Sequence, residues 1–324
     1  MKALWLENNQ LNIREIPQPQ EQGEALIKIK LVGVCGTDLE LVKGYYPFVG
    51  IPGHEFVGEV VKVFESTKPS DNQNQLLIGK RVVGEINVSC SHCEQCNNGR
   101  PTHCENRSVL GISNRNGVFA EYTTLPVENI HIIPDDIPDE MAVFTEPLAA
   151  ALEIQQQIQI RPTDRVLLIG AGRLGQLIAQ TVQLTGANLR VLARHQRQKD
   201  LLINRGINLI DEMEIFPWRW DVIIEATGSP IGFEIARKAV RPRGTIVLKS
   251  TYKGAITLNL SSIVVDEIIL VGSRCGPFPP AIRLMQQKKV DPSVLIASQF
   301  PLSEGIKAFN KASETGILKV LVKP

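Results

Sequence analysis

Apolar positions along this chain change their period near residue 150. Before that point EALIKIKLVGVC and FVGEVVKVFE alternate or run apolar, with Val, Ile and Leu dominating, and predict short strands. GKRVVGEINV predicts another strand, which leads directly into a cluster of cysteines. Between them the polar run STKPSDNQNQ predicts an exposed loop. Few helical periods interrupt this part, so it reads as mainly β. Further on, RVLLIGAGRLGQLIAQTVQLTGANLRVLAR reads as strand, glycine turn, amphipathic helix and strand. DVIIEATGS, GTIVLKS and EIILVGS then predict three more short buried strands separated by helical segments. Strands alternating with helices predict a parallel, doubly wound sheet. The tail ILKVLVKP predicts a strand that returns to the first domain. The expected organisation is therefore an α/β chain of two domains. A mainly-β domain covers 1–151 and is completed by 284–324, and a nucleotide-binding domain covers 152–283.

Composition narrows the function classes. The 324 residues suffice for two cores, and 43% hydrophobic with 21% charged residues is ordinary for a soluble globular protein. Lys and Arg number 35 against 34 Asp and Glu, a net charge of +1 without a long basic run, which excludes a nucleic-acid footprint. Glu7 interrupts MKALWLENNQ early, so no signal-peptide core is expected. No apolar run approaches the roughly 20 residues that span a bilayer, so no membrane association is expected. A cytoplasmic protein with reduced thiols is the default expectation.

Four of the six cysteines lie in CSHCEQCNNGRPTHC, spaced C-x2-C-x2-C-x7-C. Clustered thiols in a reducing compartment read as metal ligands. A four-sulfur tetrahedron leaves no position open for substrate, so Cys90, Cys93, Cys96 and Cys104 are expected to hold a structural Zn2+ that pins a loop. Chemistry must lie elsewhere.

Gly170-Ala171-Gly172-Arg173-Leu174-Gly175 spells G-x-G-x-x-G. The motif follows the strand RVLLI and opens the helix LGQLIAQTVQL, the context that makes it specific for a dinucleotide in a Rossmann domain. Its glycines permit a tight turn and close approach to a pyrophosphate at a helix N-terminus. The end of the second strand discriminates between cofactors, since an acid there binds the ribose hydroxyl of NAD and arginine accommodates the phosphate of NADP. LRVLARHQRQK has no acid before Asp200 and places Arg194, His195 and Arg197 near that point. NADP is the expected cofactor; the alternative is a solvated basic loop in an NAD enzyme.

Three further segments carry ligand-type residues: Cys35 in GVCGTD, His54 and Glu55 in GHEFVG, and Glu146 in TEPLAAALE. Singly each has an ordinary explanation, because a buried cysteine is often a small hydrophobe and an acid before Pro147 suits a helix start. Together they offer the mixed sulfur, nitrogen and oxygen donors of an open catalytic zinc site.

In their order, GVCGTD, GHEFVG, the cysteine lobe, TEPLA, GAGRLG and DVIIEATGS, these segments resemble the zinc-containing medium-chain dehydrogenase/reductase family over essentially the whole chain. The resemblance is to members with glutamate as a ligand near the domain boundary, the polyol, sugar and some secondary-alcohol dehydrogenases. It implies a GroES-like catalytic domain beside the Rossmann domain, two zinc ions per chain, and homodimers or homotetramers. By the same resemblance Cys35, His54 and Glu146 are ligands and Glu55 is a fourth or exchanging one. It further implies hydride transfer between nicotinamide C4 and the carbinol carbon of an alcohol, with zinc as Lewis acid.

Thr37, two residues beyond a ligand, is placed to accept the alcohol's proton; its ordinary role would be an ST-turn hydroxyl. Two departures from the family stand out: Glu40 replaces the usual proton-passing histidine, and Phe64 replaces a small residue after GHEFVG. Tyr45, Tyr46, Phe48 and Phe119 are candidate pocket walls, and Glu85 and Asn87 candidate partners for a polyol hydroxyl. Thr227 and Gly228 are expected to border the nucleotide, with Ser273, Arg274 and Lys319 also at the cofactor. Cys275 is left as an inert buried thiol. Besides this alcohol or polyol dehydrogenase, using NADP or NAD, a non-catalytic nucleotide-binding relative is the reading from another class. A zinc-ribbon nucleic-acid binder conflicts with the near-zero charge.

Overall fold

The computed structural model describes residues 1–65, 74–251 and 257–324, so positions 66–73 of the expected exposed loop lie outside the described residues. Two compact units result: Met1–Glu146 with Phe278–Pro324, and Pro147–Pro277. The borders expected at 151/152 and 283/284 fall inside the helices Thr145–Gln157 and Phe278–Gln286.

In the first unit the strand Glu24–Gly33 is the hub of a seven-stranded sheet. Its side chains are buried except Lys28 and Lys30, which suits a strand covered on both faces over most of its length. It pairs antiparallel with Glu55–Val63, with Tyr122–Pro126 and with the C-terminal strand Lys319–Lys323, so ILKVLVKP does return here. The sheet continues through Arg81–Gly84 to Ile130–Ile132 on one side and to Ile296–Pro301 on the other. GKRVVGEINV, expected as one strand, is split into Arg81–Gly84 and Asn87–Val88, which belong to different sheets. Asn129 sits at the break: its side-chain amide donates to the carbonyls of Glu85 and Asn87 at 3.0 and 2.9 Å.

The second unit is a five-stranded parallel sheet. Across it the strands run Asn188–Leu192, Arg165–Ile169, Trp220–Glu225, Val240–Leu248 and Ile269–Gly272. A parallel bridge from Val191 to Leu209 extends the order by one more chain segment. The first strand in sequence thus lies between the second and the third, which is the reversal that opens a ligand crevice at the carboxyl ends. Leu167, Ile169, Ile223 and Ile246 from the sheet pack with Ala236 and Ala239 of the helix Pro230–Ala239 as a core. EIILVGS does not form the buried strand expected. Ile269 is 55% exposed because its strand is the sheet's edge, with no neighbour on one side among the described residues.

Candidate functional site

The four-cysteine lobe is assembled from tight local turns. Ser91 takes a left-handed φ of 63°, Cys93 caps the one-turn helix Glu94–Asn97, and Cys104 closes the 3-10 turn Pro101–His103. The sulfurs of Cys93 and Cys96 lie 3.5 Å apart, Cys93 and Cys104 3.8 Å, and Cys90 and Cys104 3.5 Å. A metal about 2.3 Å from four tetrahedral sulfurs requires edges of about 3.8 Å, whereas a disulfide requires about 2.05 Å. The donor set therefore fits zinc. The backbone N–H of His92 draws the Cys90 thiol down to about 6, and loss of hydration beside Cys93 pushes Cys96 up to about 11. Four sulfurs this close compete for protons, a conflict that a divalent cation resolves.

Cys35, His54 and Glu55 bring one donor atom each within 4.8 Å of one another. Cys35 sits in extended conformation at the start of the helix Gly36–Val42, where its backbone N–H donates to Oδ2 of Asp38 at 2.8 Å. The other oxygen of Asp38 faces Nδ1 of His54 at 3.5 Å, and neither atom has a closer partner among the described residues. Burial opposes charge on His54, yet the Asp38 carboxylate and then Cys35 outweigh it and hold the imidazole's pKa well above 6.5. Asp38 thus orients two of the three candidate donors at once, an arrangement that would leave Nε2 of His54 able to hold a metal. Sequence reasoning missed it; the available signal was an acid three residues after Cys35, as in a capping box.

Glu55 is met by Lys319, whose ammonium rests on its carboxylate and also reaches the carbonyl of Val34 at 3.4 Å and the ring of Phe144 at 5.4 Å. Lys319, expected at the cofactor, is buried against Glu55. Gly33 makes the room, because a Cβ there would stand 2.5 Å from Oε2 of Glu55. Glu146 lies in the first turn of Thr145–Gln157 and does not join the three-donor group.

Thr37 is half-buried, its hydroxyl 3.9 Å from the Cys35 sulfur. Glu40 is exposed and paired with Lys43 at 2.8 Å. Tyr45 and Tyr46 stack edge to face at 4.4 Å, Tyr46 being exposed and Phe48 half-buried. Phe119 is not a pocket wall. It is fully buried, 5.0 Å from Phe309, and fills the space over Gly53 that a Cβ would need. Glu85 binds His131 at 2.8 Å, and Phe64 lies just past its strand beneath Lys62.

In the second unit the three glycines of the turn have different reasons. Gly170 has φ +100°, and a Cβ on it would meet Ala226 at 2.8 Å. On Gly175 a Cβ would meet the Gly170 carbonyl at 2.1 Å. Gly172, which begins the helix Arg173–Gln183, has no protein atom within 4 Å of the same position. That space, before open helix N–H groups, is where a pyrophosphate fits. Arg173 and Leu174 follow half-buried. Arg194 and Arg197 are exposed beyond the second strand, with His195 at the start of the helix Gln196–Ile203. Asp200, the first acid, already accepts from Gln196 at 2.7 Å. Thr227 and Gly228 are exposed at the end of the third strand, Gly228 donating to Ser250 at 2.9 Å. Ser273 is buried, Arg274 exposed, and Cys275 half-buried with Arg274 at 3.7 Å.

Residues 21–135 match the family model described as the alcohol dehydrogenase GroES-like domain. The chain is 31% identical to D-arabinitol dehydrogenase 1 of Uromyces fabae, covering 94% of this chain and 91% of that one. It superposes with a TM-score of 0.90 and 27% identity on an NADP-bound zinc-binding dehydrogenase of Sinorhizobium meliloti, over 100% of this chain and 99% of the other. An Escherichia coli protein named a short chain alcohol dehydrogenase, complexed with NADH, gives a TM-score of 0.88 at 28% identity, again over 100% and 99% of the two chains.

Proposed function

Because the chain belongs to the zinc-containing medium-chain dehydrogenase/reductase family, we propose that it moves a hydride between NADP(H) and the carbinol carbon of a polyol or sugar-derived alcohol. The observation that carries this reading is the convergence of Cys35, His54 and Glu55 in a unit whose other four clustered cysteines form a separate, closed tetrahedron. A closed sulfur set offers substrate no position, so the chemistry falls to the mixed one.

Zinc held there supplies Lewis-acid polarisation of the substrate's C–O bond. Cys35 and His54 are its fixed donors, oriented by Asp38 from behind. Glu146 is the third donor by family resemblance. Glu55, restrained by Lys319, is the donor that exchanges. Thr37 accepts the hydroxyl proton of the substrate and passes it towards solvent, because Glu40 is engaged by Lys43.

The glycine turn and the N-terminus of Arg173–Gln183 bind the pyrophosphate, and NADP supplies the hydride acceptor. Arg194, His195 and Arg197 bind the 2′-phosphate of the cofactor, since Asp200 is committed to Gln196 and no other acid precedes it. Relatives bound to NADP and to NADH share this fold, so the choice rests on these side chains rather than on the architecture. The exposed edge strand Ile269–Gly272, with exposed Val264 and Val265 beside it, is the surface through which a homodimer or homotetramer forms.

The test is turnover of polyols, aldoses, secondary alcohols and L-threonine by zinc-loaded protein, with NADP and NAD supplied separately. Reduction of NADP by one polyol class supports the reading. Faster reduction of NAD replaces the cofactor assignment, and silence with two zinc ions bound per chain leaves a nucleotide-binding protein without this activity.

A further inference from the structure

The carboxyl edge of the nucleotide sheet holds a polar group that neither the glycine turn nor Arg194 accounts for. Lys249 follows the strand Val240–Leu248 and is only 9% exposed. Its ammonium donates to the hydroxyl of Ser273, 3.0 Å away and equally buried, just past the neighbouring strand Ile269–Gly272. Both positions are fixed by the ladder: Lys249 N–H donates to the Glu225 carbonyl at 2.9 Å and Ser273 N–H to that of Leu248 at 3.0 Å.

Glu153, on the helix Thr145–Gln157, lies near enough to feel the ammonium. Burial raises its pKa while the charge of Lys249 pulls against the rise. That helix is pinned to the same edge, since Gln157 donates to the Gly272 carbonyl at 3.1 Å and a Cβ on Gly276 would stand 2.0 Å from the carbonyl of Ala149. Among the described residues Lys249 is the one buried lysine of this unit. Taking an ammonium out of water is costly, and a sheet end that served only packing would take an apolar residue at less cost.

Direction along the sheet assigns the group a ligand. A bound dinucleotide would place its pyrophosphate at Gly172, after the strand Arg165–Ile169, and its adenosine ribose on one side, at the end of Asn188–Leu192. The nicotinamide half must therefore run the other way, across the ends of Trp220–Glu225, Val240–Leu248 and Ile269–Gly272. Lys249 and Ser273 stand on the last two.

Building on the dinucleotide reading above, we propose that Lys249 is a positioning residue that senses the oxidation state of the nicotinamide. The oxidised ring is a cation and the reduced ring is neutral, so a buried ammonium beside it disfavours the oxidised form and leaves the reduced form unaffected. Accepting from Lys249, Ser273 keeps its own hydroxyl proton to donate to the carboxamide oxygen. Together they make the site retain reduced cofactor in preference to oxidised.

The measurement is the pair of dissociation constants for NADP+ and NADPH on the zinc-loaded full chain, by calorimetry and by NADPH fluorescence. It is repeated with NAD+ and NADH should those bind more tightly. Wild type should favour the reduced form, and K249M should narrow that ratio by about tenfold. K249R, which keeps the charge, should restore it, while S273A weakens both forms together. K249Q serves if K249M does not fold. An unchanged ratio in a folded K249M or K249Q overturns the inference while leaving dehydrogenase function intact. Failure of wild type to bind any of the four dinucleotides overturns both.

Discussion

Lys319 and Glu55 form a buried ion pair across 264 residues of sequence, their side chains 3% and 2% exposed. The last strand of the chain thereby takes hold of a carboxylate adjoining His54. Removing one member strands the other's charge in a buried position, at a cost of about 3–5 kcal/mol. K319M should therefore lower the melting temperature by several degrees, and adding E55Q to it should recover part of the loss. A double-mutant cycle by thermal melting checks this; a loss in the double variant equal to the sum of the two single losses would show no coupling.

Gly172 and Gly175 should respond oppositely to a methyl group. A Cβ on Gly175 meets a carbonyl oxygen at 2.1 Å, so G175A should destabilise the unit as well as weaken dinucleotide binding. G172A meets no protein atom within 4 Å and should change stability by no more than about 1 kcal/mol, while weakening the dinucleotide by tenfold or more. Melting curves read beside cofactor titrations separate the two effects.

For the cysteine lobe the expected metal count is the direct readout. C93S and C104S should each reduce bound zinc from two ions per chain to one and lower the melting temperature. Chelation should do the same to wild type, since binding energy at such sites is folding energy. Retention of two ions in C93S would refute the four-sulfur assignment.

Arg194 is expected to discriminate cofactors without supporting the fold, being exposed beyond its strand. R194S should raise KM for NADP at least tenfold and leave KM for NAD nearly unchanged, because a charge-assisted phosphate contact contributes about 1.5–3 kcal/mol. Parallel kinetics with both cofactors test it.

Asp221 gives a pH dependence. Burial raises its carboxyl pKa, but Arg241 at 2.6 Å and the N–H of Arg165 at 2.8 Å outweigh this and hold it below 3.8. The folded value lies under the unfolded one, so its stabilising contribution is present above pH 3.8 and fades as pH falls through the lower folded value. D221N should melt below wild type at neutral pH, and the gap should close in acid. Melting both proteins between pH 7 and 3 checks it.

What the sequence revealed and what it hid divide by distance along the chain. Cys90 to Cys104 and Gly170 to Gly175 are local spacings, so the closed sulfur set and the glycine turn were legible at once. The pairing of Lys319 with Glu55 was not legible, because its partner comes from the other end of the sequence. Phe119 shows another limit, since an aromatic beside a glycine reads alike in a pocket wall and in a core. The apolar run of EIILVGS gave no sign of lying on the sheet's edge, because edge and interior strands share the same alternation. Asp38 announced itself only as a helix-start acid, and its second role towards His54 needed the fold.

The first unit is discontinuous, made of Met1–Glu146 and Phe278–Pro324, whereas the second is one uninterrupted stretch. During synthesis at about 5–20 residues per second, the second can close while its neighbour still waits for the strand Lys319–Lys323. That strand lies between Ile296–Pro301 and Glu24–Gly33, so a variant lacking Lys319–Lys323 leaves both without a shared partner. It also leaves Glu55 without its lysine. Chains lacking that strand would thus retain a folded nucleotide unit while presenting an open sheet edge to chaperones and proteases.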